Sequence, residues 1–288
     1  MNAAIDEARA FIAEVNAAAQ RHDVAFDDGH VAWRRFGAGP VLVLLHGGHG
    51  SWLHWARNIR ALSARHTVWV PDLPGYGDSD APLAPSLVSL VDATMVTLDA
   101  LIGSATPIAL VGFSFGGLVA AHVAARRDAS VRLALLGPGG HGGERRPRGA
   151  LLSWREAADE HDDARLAVVM RHNLLMHMLH DEGAVDALAL RIHTDACLRT
   201  RFRSKAISRA GGLADALDRH RGALLLAWGE HDVTAVPHHA ALALSAGRSP
   251  CQTRIVPGAG HWAQYERPDE VNSLLLAWLQ ENESKATT

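Results

Sequence analysis

Two patterns of apolar residues alternate along the chain. The first is a short strand-like run, wholly apolar at Val41 to Leu45 and recurring at Thr67 to Pro71, Ile108 to Val111, Val131 to Leu136, Ala223 to Trp228 and Cys251 to Val256. Runs of this length suit strands buried on both faces of a sheet. Val24 to Phe36 reads instead as a hairpin of two strands, with Asp28-Gly29 at its turn. The second pattern is a longer stretch with apolar residues on one side. Trp52 to Arg65 keeps Arg57, Arg60 and Arg65 off its apolar side, Leu118 to Arg127 is rich in alanine, and Asp269 to Gln280 is amphipathic. Strands alternating with helices predict a mostly parallel, eight-stranded sheet flanked by helices. A further helix, roughly residues 3–20, precedes the first strand and carries Ile5, Phe11, Ile12 and Val15 as a docking stripe.

One region breaks the alternation. From Gly139 to Asp215 no buried-strand run occurs, only helical patterns at Leu151 to Glu160, Ala164 to Leu179 and Ala184 to Ile192. This predicts a helical cap at 139–217, inserted between a first core segment at 1–138 and a second at 218–288. Glycines at 139–143 and 211–212 would let it move. Asn282 to Thr288 reads as a polar, frayed tail.

Composition narrows the function. The chain has 288 residues, 48% of them hydrophobic, enough for one large core. A net charge of −3 gives no reason to expect a nucleic-acid partner. Cys197 and Cys251 share no metal-ligand spacing and read as free thiols, which points to a reducing compartment or to indifference about it. No secretory pattern and no apolar run of about 18 residues is present, so the expectation is a cytoplasmic protein acting on a small molecule, without membrane. A homo-oligomer is left open.

The chemistry concentrates in loops that follow strands. Gly112-Phe113-Ser114-Phe115-Gly116-Gly117 lies between the run 108–111 and the alanine-rich helix. A serine on so sharp a strand-to-helix turn is exposed and strained, and glycines are needed where strand and helix approach closely. Ser114 is the candidate nucleophile. A serine hydroxyl needs a base. Among 18 histidines, His261 stands out, because Gly258-Ala259-Gly260 places it on a small-residue loop after the last strand. Asp232 in Gly229-Glu230-His231-Asp232 is the candidate orienting acid, with Glu230 as its alternative. His46-Gly47-Gly48-His49-Gly50 follows the strand 41–45; Gly48 there and Phe115 after the serine are the candidate oxyanion donors. Gly47, His49 and Phe113 are expected to border the substrate. Pro71 to Asp80 (PDLPGYGDSD) reads as a turn network held by Asp72. His172, His177 and His180 share a predicted helix, but only the last two have a spacing that could share an ion, and no metal or other cofactor is expected.

With these residues assembled, the sequence resembles the α/β-hydrolase superfamily over nearly its full length. The likeness rests on residues 46–48, 71–80, 112–117, 229–232 and 260–272. Around His261 it is similar to the meta-cleavage-product hydrolases, which cut a carbon–carbon bond in dienoates and often carry the Gly-His-Trp-Ala-Gln found here at 260–264. The resemblance implies that Trp262 lines the pocket and that a cap arginine, with Arg191 nearest, holds a carboxylate. That family commonly has Asn just before the nucleophile, where this chain has Phe113. The leading expectation is therefore hydrolysis of a carboxylic ester with a small or aromatic apolar group. The alternatives are carbon–carbon cleavage, lactone or acyl-transfer chemistry, and non-catalytic ligand binding.

Overall fold

A computed structural model describes residues 2–27, 29–127 and 130–286. Eight strands form one sheet: β1 (Gln20–Phe26), β2 (Gly29–Phe36), β3 (Val41–Leu45), β4 (Thr67–Pro71), β5 (Ile108–Phe113), β6 (Val131–Leu136), β7 (Leu224–Gly229) and β8 (Cys251–Val256). Their spatial order is β1-β2-β4-β3-β5-β6-β7-β8. β2 pairs antiparallel with β1 and β4, and every pair from β4 through β8 is parallel. The mostly parallel sheet expected from the apolar runs is therefore present. Asp28, half of the expected hairpin turn, lies outside the described residues.

The helices are α1 (Asn2–Ala17), α2 (Ile59–Ser63), α3 (Leu87–Ile102), α4 (Phe115–Arg126), α5 (Arg155–Asp159), α6 (Asp163–His177), α7 (Ala187–Leu198), α8 (Leu213–Arg219), α9 (Pro237–Ser245), α10 (Ala263–Glu266) and α11 (Pro268–Ala286). Two apolar layers cover the sheet. Leu42 and Leu44 of β3 belong to one, Val43 and Leu45 to the other, as alternation across a strand requires. The connection from β3 to β4 runs one way across the sheet and that from β4 to β5 returns past β3 the other way, so a crevice opens at the carboxyl ends of β3 and β5.

Several elements differ from the sequence expectation. Trp52 to Arg65 is not one helix: a 3₁₀ turn at Trp52–Trp55 precedes α2. Asn58 between them turns its amide to Gln264 O and Asn272 Oδ1, at 3.0 and 2.9 Å, so long-range bonds overrule helix continuation. α3 was not singled out, although Ser86 and Ser89 form a capping box at its start and Gly103 ends it at φ 82°. α11 continues to Ala286, through most of the stretch read as a tail; residues 287–288 lie outside the described residues.

Between β6 and β7 the chain forms α5 to α8 and no strand. α5 is shorter than the pattern at Leu151 to Glu160 because residues 143–154 are irregular. α1 packs on α7, with Ala8 buried in the interface layer and Phe11, Ile12 and Val15 partly buried beside it. Ile5, the fourth member of the expected stripe, is exposed. No described helix is long and apolar enough to cross a membrane.

Candidate active site

β5 ends in a turn too tight for ordinary side chains. Ser114 adopts φ 54°, ψ −119°, and a Cβ on Gly116 would fall 2.2 Å from His46 O. Such backbone strain in a non-glycine residue persists only where surrounding structure holds it. Here Ser114 N–H donates to Leu136 O, and Ser114 O accepts from Gly117 and Gly139. The hydroxyl thereby stands at the mouth of the crevice, at the start of α4.

Two further strand ends meet it. His261 Nε2 lies 2.9 Å from Ser114 Oγ, and His261 Nδ1 lies 2.9 Å from Asp232 Oδ2. Asp232 Oδ1 accepts from Thr234 N and Thr234 Oγ1 at 2.7 and 2.8 Å. Burial by itself would raise this carboxyl, but the neighbouring His261 and the two Thr234 donors outweigh it and hold Asp232 below the usual carboxylate range. Gly137, at φ 49°, makes room for the pair: a Cβ there would meet Asp232 Oδ2 at 2.8 Å. Glu230 is directed elsewhere, accepting from Gly258 N at 2.9 Å on the surface. Thr234 and Gly137 are the two members of this cluster that sequence reasoning missed. Thr234, two residues past an acid at a strand end, was a readable signal.

The loop after β3 is clamped by histidines. Leu73 N–H donates to His46 Nε2 at 2.8 Å, so His46 Nδ1 carries the proton and donates to Gly47 O at 2.8 Å. Gly47 N–H donates to His54 Nδ1 at 3.3 Å. A planar trans peptide then aims the Gly48 N–H opposite the Gly47 carbonyl. Burial drives His46 down and His54 well below the imidazole range, with neighbouring His46 and His193 adding to the burial effect at His54. Both therefore stay neutral and able to accept. Asp72 holds the adjoining 71–80 loop, accepting from Trp52 N, Asp78 N and Arg34 Nη1.

Above the strand ends lies a cavity of about 980 Å³. Ser114, His261, Gly48, Phe115, His49 and Phe113 all line it. Asp232 lies behind His261, and three of the residues expected to border the substrate do not line the cavity either. Gly47 is held in the histidine clamp just behind the wall. Trp262 is fully buried: its indole donates to His54 O at 3.0 Å and its ring stacks on Tyr265 at 4.2 Å. Arg191 sits on the exposed face of α7 and pairs with Asp195 one turn away. The expected pocket roles of Trp262 and Arg191 are thus corrected by burial in one case and by exposure in the other.

The far wall comes from the segment between β6 and β7. His177 packs against His261, with ring centroids 5.5 Å apart, and His193 lines the same wall. Burial lowers both, His177 well below the ordinary range and His193 to about 4. His180 stacks instead on His231 at 3.6 Å, and His172 bonds Ala150 O, so the three histidines of the α6 region diverge. No described group of His, Cys, Asp or Glu could hold a metal ion. Glu266 ties this segment to the histidine loop, accepting from Gly260, His180 and Asp181 backbone N–H groups at 2.6–2.9 Å. Cys197 is buried against His193, its thiol pushed up to about 12 by burial. Cys251 is also free.

Comparisons with known proteins identify the family and the fold. The alpha/beta hydrolase family matches residues 42–274. A 2-hydroxy-6-oxo-6-phenylhexa-2,4-dienoate hydrolase of Burkholderia cepacia is 29% identical over 275 aligned residues, covering 84% of this chain and 88% of that one. A pimeloyl-acyl-carrier-protein methyl ester esterase of Vibrio campbellii is 40% identical over 92 residues, 32% of this chain and 34% of that one. Among solved structures, naproxen esterase from Bacillus subtilis superposes with a TM-score of 0.73 at 19% identity, covering 94% of this chain and 96% of that one.

Proposed function

The chain belongs to the alpha/beta hydrolase family, and on that premise we propose that it hydrolyses a carboxylic ester through an acyl-enzyme on Ser114. The observation that carries the reading is the unbroken relay from Ser114 Oγ through His261 to Asp232, with both links at 2.9 Å. His261 takes the serine proton as the hydroxyl attacks the acyl carbon. Asp232 fixes the imidazole with Nδ1 protonated and stabilises the imidazolium. The Gly48 and Phe115 amides receive the developing oxyanion. His261 then delivers the proton to the leaving oxygen, and water activated by the same ring releases the acid. No step in this sequence calls on a cofactor. We further propose that the segment between β6 and β7 serves as the cap at 139–217, which encloses the acyl group and sets specificity.

Carbon–carbon cleavage is the second reading. It is favoured by the name of the Burkholderia cepacia relative, which matches most of the chain. The apolar wall beside the serine favours the ester instead. Phe113 is fully buried, with its ring 4.9 Å from that of His261, and it brings no polar group to a charged dienoate.

The test is kcat/KM for a short-chain nitrophenyl ester and for a meta-cleavage dienoate, measured side by side, with Ser114→Ala as control. Ester turnover should dominate, and Ser114→Ala should lower it by roughly 10³–10⁶-fold while the protein stays folded. A dominant dienoate would replace the ester reading with carbon–carbon hydrolysis.

A further inference from the structure

The cavity wall carries an unexpected charge. Seven of its lining residues are Arg or Lys, and no Asp or Glu lines it among the described residues. This contrasts with the chain as a whole, whose net charge is −3. Four of the seven gather toward one end. A second cavity of about 430 Å³ adjoins the first and is lined by Arg145, Arg146, Arg148, Lys205 and Arg209, again with no carboxylate. Arg145, Arg148, Lys205 and Arg209 border both cavities.

Salt bridges elsewhere are plentiful, yet none engages these four residues among the described residues. Arg145 bonds only Ser208 O, and Arg148 only the carbonyl of Gly149. Partial burial, with nearby Arg209 adding repulsion, lowers both guanidinium groups from their ordinary value. Like charges gathered at the edge of a low-dielectric cavity repel one another until an anion arrives.

The chamber's place relative to the relay says which part of a substrate reaches it. His177 and Thr234 line both cavities, and both touch the His261 ring: Thr234 Oγ1 lies 3.2 Å from Nδ1. Gly48, His49 and Phe115 line only the first. The chamber thus opens on the His261 side of the serine, against the Nδ1 edge of the ring, and away from Gly48 and Phe115; because His261 protonates the leaving oxygen, a substrate group on this side is part of the leaving alcohol. A single carboxylate would neutralise one cation of this cluster; a group bearing two or more charges matches it better. Arg forks also suit the several acceptor oxygens of a phosphate.

We propose that the second chamber binds a phosphate group on the leaving alcohol, so that the substrate is an ester of a phosphorylated alcohol. The inference rests on the acyl-enzyme reading above. In the step it implies, the acyl carbon bonds Ser114 Oγ as its bond to the leaving oxygen breaks. The serine proton travels through His261 Nε2 to that oxygen, and the phosphorylated alcohol departs with its phosphate intact.

Three phenyl acetates test this, with phosphate, carboxylate or methoxy at the para position of the phenol. They are assayed with the wild-type protein and with Arg148→Ala, Arg209→Ala and the double variant. Thermal melts report whether each variant is folded. The expected result is a phosphate-over-methoxy ratio of kcat/KM roughly tenfold higher in the wild type than in the double variant, carried mainly by KM. The advantage should shrink as ionic strength rises. An equal ratio in both proteins overturns the chamber. A carboxylate ester favoured as strongly as the phosphate overturns the choice of a dianion. Titrating 4-hydroxyphenyl phosphate into Ser114→Ala reads the chamber without turnover. Binding that weakens roughly tenfold in Ser114→Ala with both arginines removed supports it, and binding that stays unchanged sinks it. Ester turnover that survives Ser114→Ala would instead remove the acyl-enzyme reading and leave the titration to judge the chamber.

Discussion

The two walls of the main cavity are built on opposite terms. On the strand-end wall, each polar group that faces the serine has a fixed partner: His261 between Ser114 and Asp232, Asp232 under Thr234, and Gly47 between two neutral imidazoles. Parallel strands deliver these residues from β3, β5, β7 and β8 to one edge. On the opposite wall, cations stand on irregular chain at 143–154 and around the short turn Ile207–Arg209, with no carboxylate to pair them. A sheet edge can hold a proton relay to a few tenths of an ångström. Surface coil cannot hold geometry that tightly, but it can supply a field that an incoming anion completes.

Breaking the first wall should have the largest effect. Asp232→Asn keeps the shape of the site but leaves His261 in the wrong tautomer, so kcat should fall by about 10³–10⁴-fold with little change in melting temperature. Steady-state assays with thermal melts check this, and a loss under about tenfold would take Asp232 out of the relay.

Acid should weaken both walls through their neutral histidines. His193 titrates at about 4 in the fold and near 6.5 once unfolded. The unfolded chain therefore takes up its proton first. Its contribution is complete above about pH 6.5, declines as pH falls toward about 4, and totals on the order of 3 kcal/mol. His54 and His177 act in the same direction. Asp232, held low in the fold, adds a separate loss only at more acidic pH, as the pH falls through its depressed value. Urea midpoints at about pH 7.5 and about pH 5 should differ measurably, and His193→Phe should flatten the difference. A pH-independent midpoint would contradict the neutral imidazoles.

Arg191→Ala sharpens the contrast by doing little. Its exposed pair with Asp195 is worth well under about 1 kcal/mol, and kcat/KM on any of the anionic esters should stay within about twofold. A larger loss would move the anion site to α7.

What could be read from the sequence follows the same division. Strand runs and the serine turn are encoded locally, because glycine and serine at 112–117 satisfy a steric demand of a few residues. The choice of Asp232 over Glu230 was legible as two carboxylates in one loop, and only their directions separated them. Trp262 misled because a motif records that a residue is kept without recording which way it faces. The cations of the chamber carried no signal in the sequence, which does not tell whether a carboxylate folds back onto them. α3 was overlooked despite its capping serines because its many apolar positions blur the helical period.

The packing of α1 on α7 has a mechanical consequence. Ala8 is wedged into the interface layer and α7 carries His193 of the cavity wall, so any outward swing of that wall drags the first helix along. The two would then breathe as one unit. Amide protons in α1, far from the serine, should exchange with solvent in step with those of α7, and a label placed on α1 would report the filling of a cavity that it never touches.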